Sequence, residues 1–135
     1  LVGKEIVPLQ RKPKTNTTMK VNVWRVGYAT KEDFEKRDRN SIECRPMGYV
    51  DVEDGDEWWY SDAWHYVNWS CHCKEKPSNV HSPISLCGSD VIFQAENGDV
   101  YVAAKSVGWS NHTSLESAVD EIKNKGSHWV ATYFE

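Results

Sequence analysis

The stretch that most constrains this chain is VIFQAENGDVYVAA, residues 91–104, in which two alternating apolar runs flank Asn97-Gly98. Asn-Gly is the dipeptide favoured by a two-residue type I′ turn, whose central residues both take positive φ. A turn centred there predicts a hairpin in which Ala95 faces Val100, Phe93 faces Val102 and Val91 faces Ala104. One side of that hairpin is wholly apolar. The other carries Ile92, Gln94, Tyr101, Ala103 and Lys105, a mixed face that is either wet or half covered.

The segments around the hairpin supply its partners. KVNVWRVGY, residues 20–28, alternates with apolar groups on both faces, the pattern of a strand inside a sheet. Thr30 and Asp33 form a capping-box-like pair ahead of a short helix docked by Phe34, and residues 40–50 return as loop and strand. Ser61 is placed to N-cap a helix SDAWHYVNW, with Trp64 and Val67 on one face. Thr113 and Glu116 make a T-x-x-E box before Leu115, Ala118, Val119 and Ile122, an amphipathic helix near 114–125 that should stop at Gly126. That helix is expected on the apolar face of the hairpin, with HWVATYF returning as a closing strand. Short connections between these elements imply a single α+β domain with a mainly antiparallel sheet of about four to six strands and two or three helices.

At 135 residues the chain is the size of one domain. Residues 1–18 contain two prolines, lack periodicity and carry Lys4, Arg11, Lys12 and Lys14 against Glu5, a balance of +3. They read as a flexible basic arm or leader, with the folded domain expected over residues 19–135. The overall charge of −4 therefore leaves −7 on that domain, twelve basic against nineteen acidic groups. Such a domain repels phosphate backbones, which disfavours nucleic acid as a partner but not a basic protein surface. No run is long and apolar enough to span a membrane, and the N-terminus lacks the apolar region of a signal peptide, so the expected setting is cytoplasmic. Four cysteines are too few for a disulfide-dense scaffold and point the same way. Asn16, Asn68 and Asn111 open N-x-S/T triplets, a mild excess over chance in a chain rich in Asn, Ser and Thr.

Two stretches carry candidate sites. Cys71, Cys73, His81 and Cys87 are soft ligands around a loop with no apolar pattern of its own, which a structural zinc would order. Their spacing is not that of a common zinc finger, and buried or incidental thiols are the simpler account, which leaves either no cofactor or a structural zinc. The second is DVEDGDEWW. Asp51, Glu53, Asp54, Asp56, Glu57, Trp58 and Trp59 join carboxylates to large aromatics, either a solvated turn leading into the core or an acidic surface for docking a partner. A calcium loop is disfavoured, because the twelve-residue spacing with its closing Glu is missing. Catalytic residues stay unassigned: Cys71 or Ser110 would need His65, His72, His112 or His128 beside it, and nothing in the sequence places them together.

Residues 82–109 carry a resemblance. Ser85, Asp90, Val91 and Ile92, then Tyr101, Ser106, Gly108 and Trp109, are similar to the S-[LM]-S-x-x-D-V-[IV] segment and the aromatic return strand ending near S-x-G-[FW] of the YodL-like domains of phage and mobile-element proteins. Cys87-Gly88 interrupts that pattern before the aspartate. NWSCHCKEKPSNV also resembles small early proteins of tailed phages. The resemblance implies a genomic setting, with the host cytoplasm as its compartment, and carries no catalytic residues over. The function expected is a phage or mobile-element accessory protein that binds and modulates a host or defence protein, for instance as an inhibitor. The alternatives are a zinc-dependent or nucleic-acid-processing enzyme built around the Cys/His loop, and a nucleic-acid-binding module using the basic arm and Lys31 to Arg45.

Overall fold

The computed structural model describes residues 18–69, 75–83, 85–86, 90–104 and 108–134. The basic arm other than Thr18, and Cys71, Cys73 and Cys87 of the zinc set, lie outside the described residues. In chain order the elements are β1 (Thr18–Tyr28), α1 (Lys31–Lys36), β2 (Ile42–Glu53), α2 (Trp59–Val67), β3 (Val80–His81), β4 (Val91–Ala95), β5 (Val100–Ala104), β6 (Gly108–His112) and α3 (Leu115–Lys125). The strands form one antiparallel sheet in the order β3-β2-β1-β4-β5-β6, an α+β domain as expected. No described helix is long and apolar enough to cross a membrane.

β1 lies inside the sheet, between β2 and β4, and its two-sided apolar pattern is used in full. Val21 and Val23 face one core cluster with Val91, Phe93, Ala95, Ala103 and the α2 residues Trp59, Ala63 and Val67. Val26 and Tyr28 face a second, with Ile92, Val100, Val102 and the α3 residues Ala118 and Ile122. Helices therefore cover both faces of the sheet. Each fully buried Val, Ile or Phe contributes about 1.5–3 kcal/mol before the entropy of ordering it is subtracted.

The hairpin forms, but its register differs from the expected one by a single residue. Gln94 pairs with Val100, Phe93 with Tyr101, Ile92 with Val102 and Val91 with Ala103. Gly98 takes φ of 98° while Asn97 does not enter the positive region, so the two-residue type I′ turn is not made. Instead the Gly98 N–H donates to the Ala95 carbonyl at 3.0 Å and the Ala95 N–H to the Asp99 carbonyl at 2.9 Å, a longer turn closed by a glycine bulge. With a period of two, one extra turn residue sends alternate side chains to opposite faces. The single oily face becomes two: Val91, Phe93 and Ala95 pack beneath α2, and Val100 and Val102 beneath α3.

A second bulge does the same in β2. Asn22 pairs with Tyr49 but Trp24 with Pro46, so Met47 and Gly48 together oppose Val23. Gly48 sits at φ of 119°, and a methyl group there would overlap the His81 carbonyl oxygen of β3. The bulge reverses the strand's parity: Ile42 and Cys44 join the α3 face, Val50 and Val52 the α2 face.

Helix termini shift by small steps from their sequence signals. Thr30 caps α1 as expected, accepting the Asp33 N–H at 3.1 Å, and Phe34 packs between Tyr28 and Tyr133. In α3 the cap is Ser114, not Thr113, accepting from the Ser117 N–H at 3.1 Å, while the Leu115, Ala118, Val119 and Ile122 face is the expected one. α2 starts earlier than its sequence signal suggests, so Ser61 lies inside the first turn and Trp58 occupies the cap position. There the Asp56 carboxylate accepts the Trp58 backbone N–H at 2.8 Å. The helix begins at Trp59 because its buried residues, Trp59, Ala63 and Val67, recur at i, i+4 and i+8, a stripe that opens two residues before Ser61.

The C-terminal segment is a correction. HWVATYF does not form a full closing strand: Ser127–Trp129 is a 3₁₀ turn, followed by a single parallel bridge between Tyr28 and Tyr133. β4 pairs with β1 only as far as Arg25 and Val91, so the end of β1 projects past it. The tail fills that place, with the Tyr28 N–H donating to the Thr132 carbonyl at 2.9 Å and the Phe134 N–H to the Tyr28 carbonyl at 3.0 Å. Conversely, β6 is a strand that no sequence signal marked, pairing with β5 from Ala104–Gly108 to Val100–His112.

Candidate interaction surface

Trp59 points into the core because α2 begins with it, which turns Trp58 out to solvent and lays Tyr60 along the rim of the sheet. Across the sheet, Tyr101 of β5 and Trp109 of β6 lie on the same face, since Trp109 pairs with Ala103 and is therefore a diagonal neighbour of Tyr101. Tyr60 lies flat on Tyr101, with ring centroids 3.9 Å apart and planes at 5°. Trp109 stands 5.7 Å from both rings, and Trp64, one turn further along α2, meets it edge-on at 5.8 Å. Trp58 completes the row at 6.3 Å from Tyr60. The result is an aromatic ledge between α2 and the β5–β6 edge, on which Trp58 is 60% exposed and Trp109 47%.

Carboxylates flank the Trp58 end of this ledge. Asp54 and Glu57 are exposed, and the Asp56 and Asp62 side chains are hydrogen-bonded to each other. That bond requires a proton. It pushes the Asp62 carboxyl up to about 6, helped by partial burial and by the charges of Asp56 and Glu53, with His65 opposing. On the ledge itself, burial and the contact with Tyr60 raise the Tyr101 phenol, which stays protonated and neutral.

The residues named from sequence divide accordingly. Glu53, Asp54, Asp56, Glu57 and Trp58 lie at or in the turn between β2 and α2, beside the ledge. Trp59 does not belong to the surface: it is 9% exposed and supports the ledge from below through edge contacts to Tyr60 and Tyr101. Asp51 also belongs elsewhere. Strand alternation turns it away from Val50 and Val52, and its carboxylate sits 3.0 Å from His81 Nε2. Tyr60, Trp64, Tyr101 and Trp109 are not in the set named from sequence, because the contact between α2 and β6 joins segments far apart in the chain. The crowding of aromatics in residues 58–69 is the signal the sequence offers for them.

His81 stacks on Tyr49 at 4.4 Å as well as meeting Asp51. Of the zinc set only His81 lies within the described residues, and among those residues no group of three or more His, Cys, Asp or Glu is placed to hold a metal ion. Asn68, one of the N-x-S/T asparagines, is buried and donates to the Trp64 carbonyl at 2.7 Å, a position closed to a glycan.

A second polar cluster joins β6 to α3. Ser110 Oγ lies 3.2 Å from His112 Nε2, so the structure does bring together one serine and histidine considered from sequence. Glu121 Oε1, however, is 2.7 Å from each, accepting from Ser110, while His112 Nδ1 meets Ser117 Oγ at 2.9 Å. Both ring nitrogens are engaged. Burial alone would raise the Glu121 carboxyl, but hydrogen bonds from Ser110 and His112 and the charges of His112 and Lys125 outweigh it and hold the group below the usual carboxylate range. The cluster is a clamp that fixes the edge strand to the helix. Cys44, half-buried at the β2–α3 cleft, has its thiol pushed up by burial and by Glu43 against a backbone hydrogen bond, which leaves it protonated and a poor nucleophile.

Comparison with family models, curated protein sequences and solved structures finds no match to this chain.

Proposed function

We propose that this chain acts by binding, as a phage or mobile-element accessory protein that docks on a host or defence protein through the aromatic ledge and its acidic flank. The observation that carries the reading is the exposure of the Trp58 and Trp109 indoles on a stacked, rigid support. Large aromatics are the residues most enriched at binding hot spots, and exposing two of them on one ledge in water is unfavourable unless a partner covers them. The −7 charge of residues 19–135 adds long-range steering toward a basic partner. The resemblance of residues 82–109 to YodL-like domains supports the genomic setting.

The test uses the full chain as bait in bacterial lysate, beside Trp58→Ala and an Asp54→Lys, Asp56→Lys double variant. One protein captured by the parent chain, released by salt and lost from both variants, is the expected result. Capture that is unchanged in both variants would exclude this surface as the functional one.

A further inference from the structure

We propose that the ledge takes a basic protein segment, with an arginine side chain lying against the Trp58 and Trp109 indoles and its guanidinium reaching the Asp56 and Asp62 carboxyls. This rests on the binding reading above and deepens it by naming the partner's chemistry.

Charge and shape both select that occupant. From Pro46 to Cys73 the chain has no lysine or arginine, yet the turn into α2 and its first helical turn contain Glu53, Asp54, Asp56, Glu57 and Asp62. A phosphate backbone or an acidic peptide would be repelled there, and a purely aliphatic partner would strip water from the carboxyls with nothing to replace it. Exposed indole faces attract cations, and arginine's planar guanidinium both stacks on a ring and donates in a fork to carboxylates. The ledge offers both within one site: Asp56 accepts the Trp58 backbone N–H at 2.8 Å, and the Asp62 backbone N–H donates to the Trp58 carbonyl at 3.1 Å.

The carboxyl pair adds a signature. A guanidinium seated between Asp56 and Asp62 displaces the proton they share, so binding should strengthen as pH rises through that titration. The groups facing the pair are Glu53 on β2 and His65 on α2. Complete displacement of one proton that titrates near 6 allows at most about a tenfold gain in affinity between pH 5 and pH 7.

The experiment titrates the full chain with a tetra-arginine peptide and, separately, a tetra-glutamate peptide, following the indole N–H signals by NMR. Tetra-arginine should move the Trp58 and Trp109 signals and bind at least about fivefold more weakly to Trp58→Ala. Its affinity should rise several-fold from pH 5 to pH 7, and Asp62→Asn, which keeps the side chain's size, should flatten most of that rise. Equal binding of tetra-glutamate, tetra-arginine shifts confined to other residues, or a dimer of this chain that buries the two indoles would overturn the proposal. If a lysate protein needs Trp58 but tetra-arginine fails to compete it away, the basic-segment inference falls and the binding reading stands. If capture ignores Trp58, the binding reading itself falls.

Discussion

Tyr60 of α2 lies parallel to Tyr101 of β5, centroids 3.9 Å apart, and the pair ties the first turn of the helix to that strand. The helix cannot slide along the strands without breaking it. A double-mutant cycle with Tyr60→Ala and Tyr101→Ala is expected to give a coupling of about 0.5–1.5 kcal/mol in urea unfolding, beyond the area each ring buries. Strict additivity would show that the rings touch without holding the helix.

Gly48 is the residue whose substitution should cost the fold most for its size. Its φ of 119° and the His81 carbonyl beside it leave no room for a methyl group. Gly48→Ala should destabilise the chain by more than about 1 kcal/mol, where the same change at a permissive position would be neutral or stabilising. Chemical denaturation of the two proteins decides the point.

Glu121 makes the β6–α3 clamp sensitive to acid. Its folded value lies below the ordinary 4.5, so its contribution is fully present above that pH and disappears as pH falls through the lowered value. Glu121→Gln should therefore cost about 1–3 kcal/mol at pH 7, with the gap between variant and parent closing as pH falls below 4.5 and through the lowered value. A gap that persists unchanged at strongly acid pH would mean that shape, not charge, is what the variant removes.

Asp62 works in the opposite sense. Its folded value of about 6 stands above the ordinary 3.8, so the folded state holds a proton that the unfolded state has lost, and stability falls as pH rises between those values. Asp62→Asn should be more stable than the parent at pH 7 by under about 1 kcal/mol, because solvent screens a pair that is only partly buried. The two proteins should converge below pH ~3.8. Thermal unfolding across that acid-to-neutral range measures it.

Much of the architecture is legible in the chain. The alternation in residues 20–28 reads directly as a central strand with two apolar faces, and the Leu115, Ala118, Val119, Ile122 spacing reads as the helix that covers one of them. Thr30 and Phe34 likewise do what their local chemistry implies, capping and docking α1. These are properties of neighbours in sequence, decided by periods of 3.6 and 2 and by which side chains can reach an adjacent N–H.

What the tertiary structure alone decided is parity and company. The bulges at Gly98 and Met47–Gly48 each add one residue, which local propensity barely distinguishes from none, and each reverses which face every following side chain occupies. The step at Gly98 parts Val100 and Val102, under α3, from Phe93, under α2. The ledge depends on the same step, since Tyr101 and Trp109 reach Tyr60 and Trp64 only across segments separated by dozens of residues. Alternation in a strand is a local fact; the face it presents is set by hydrogen-bond register with distant strands, and that register is an energy of the whole sheet.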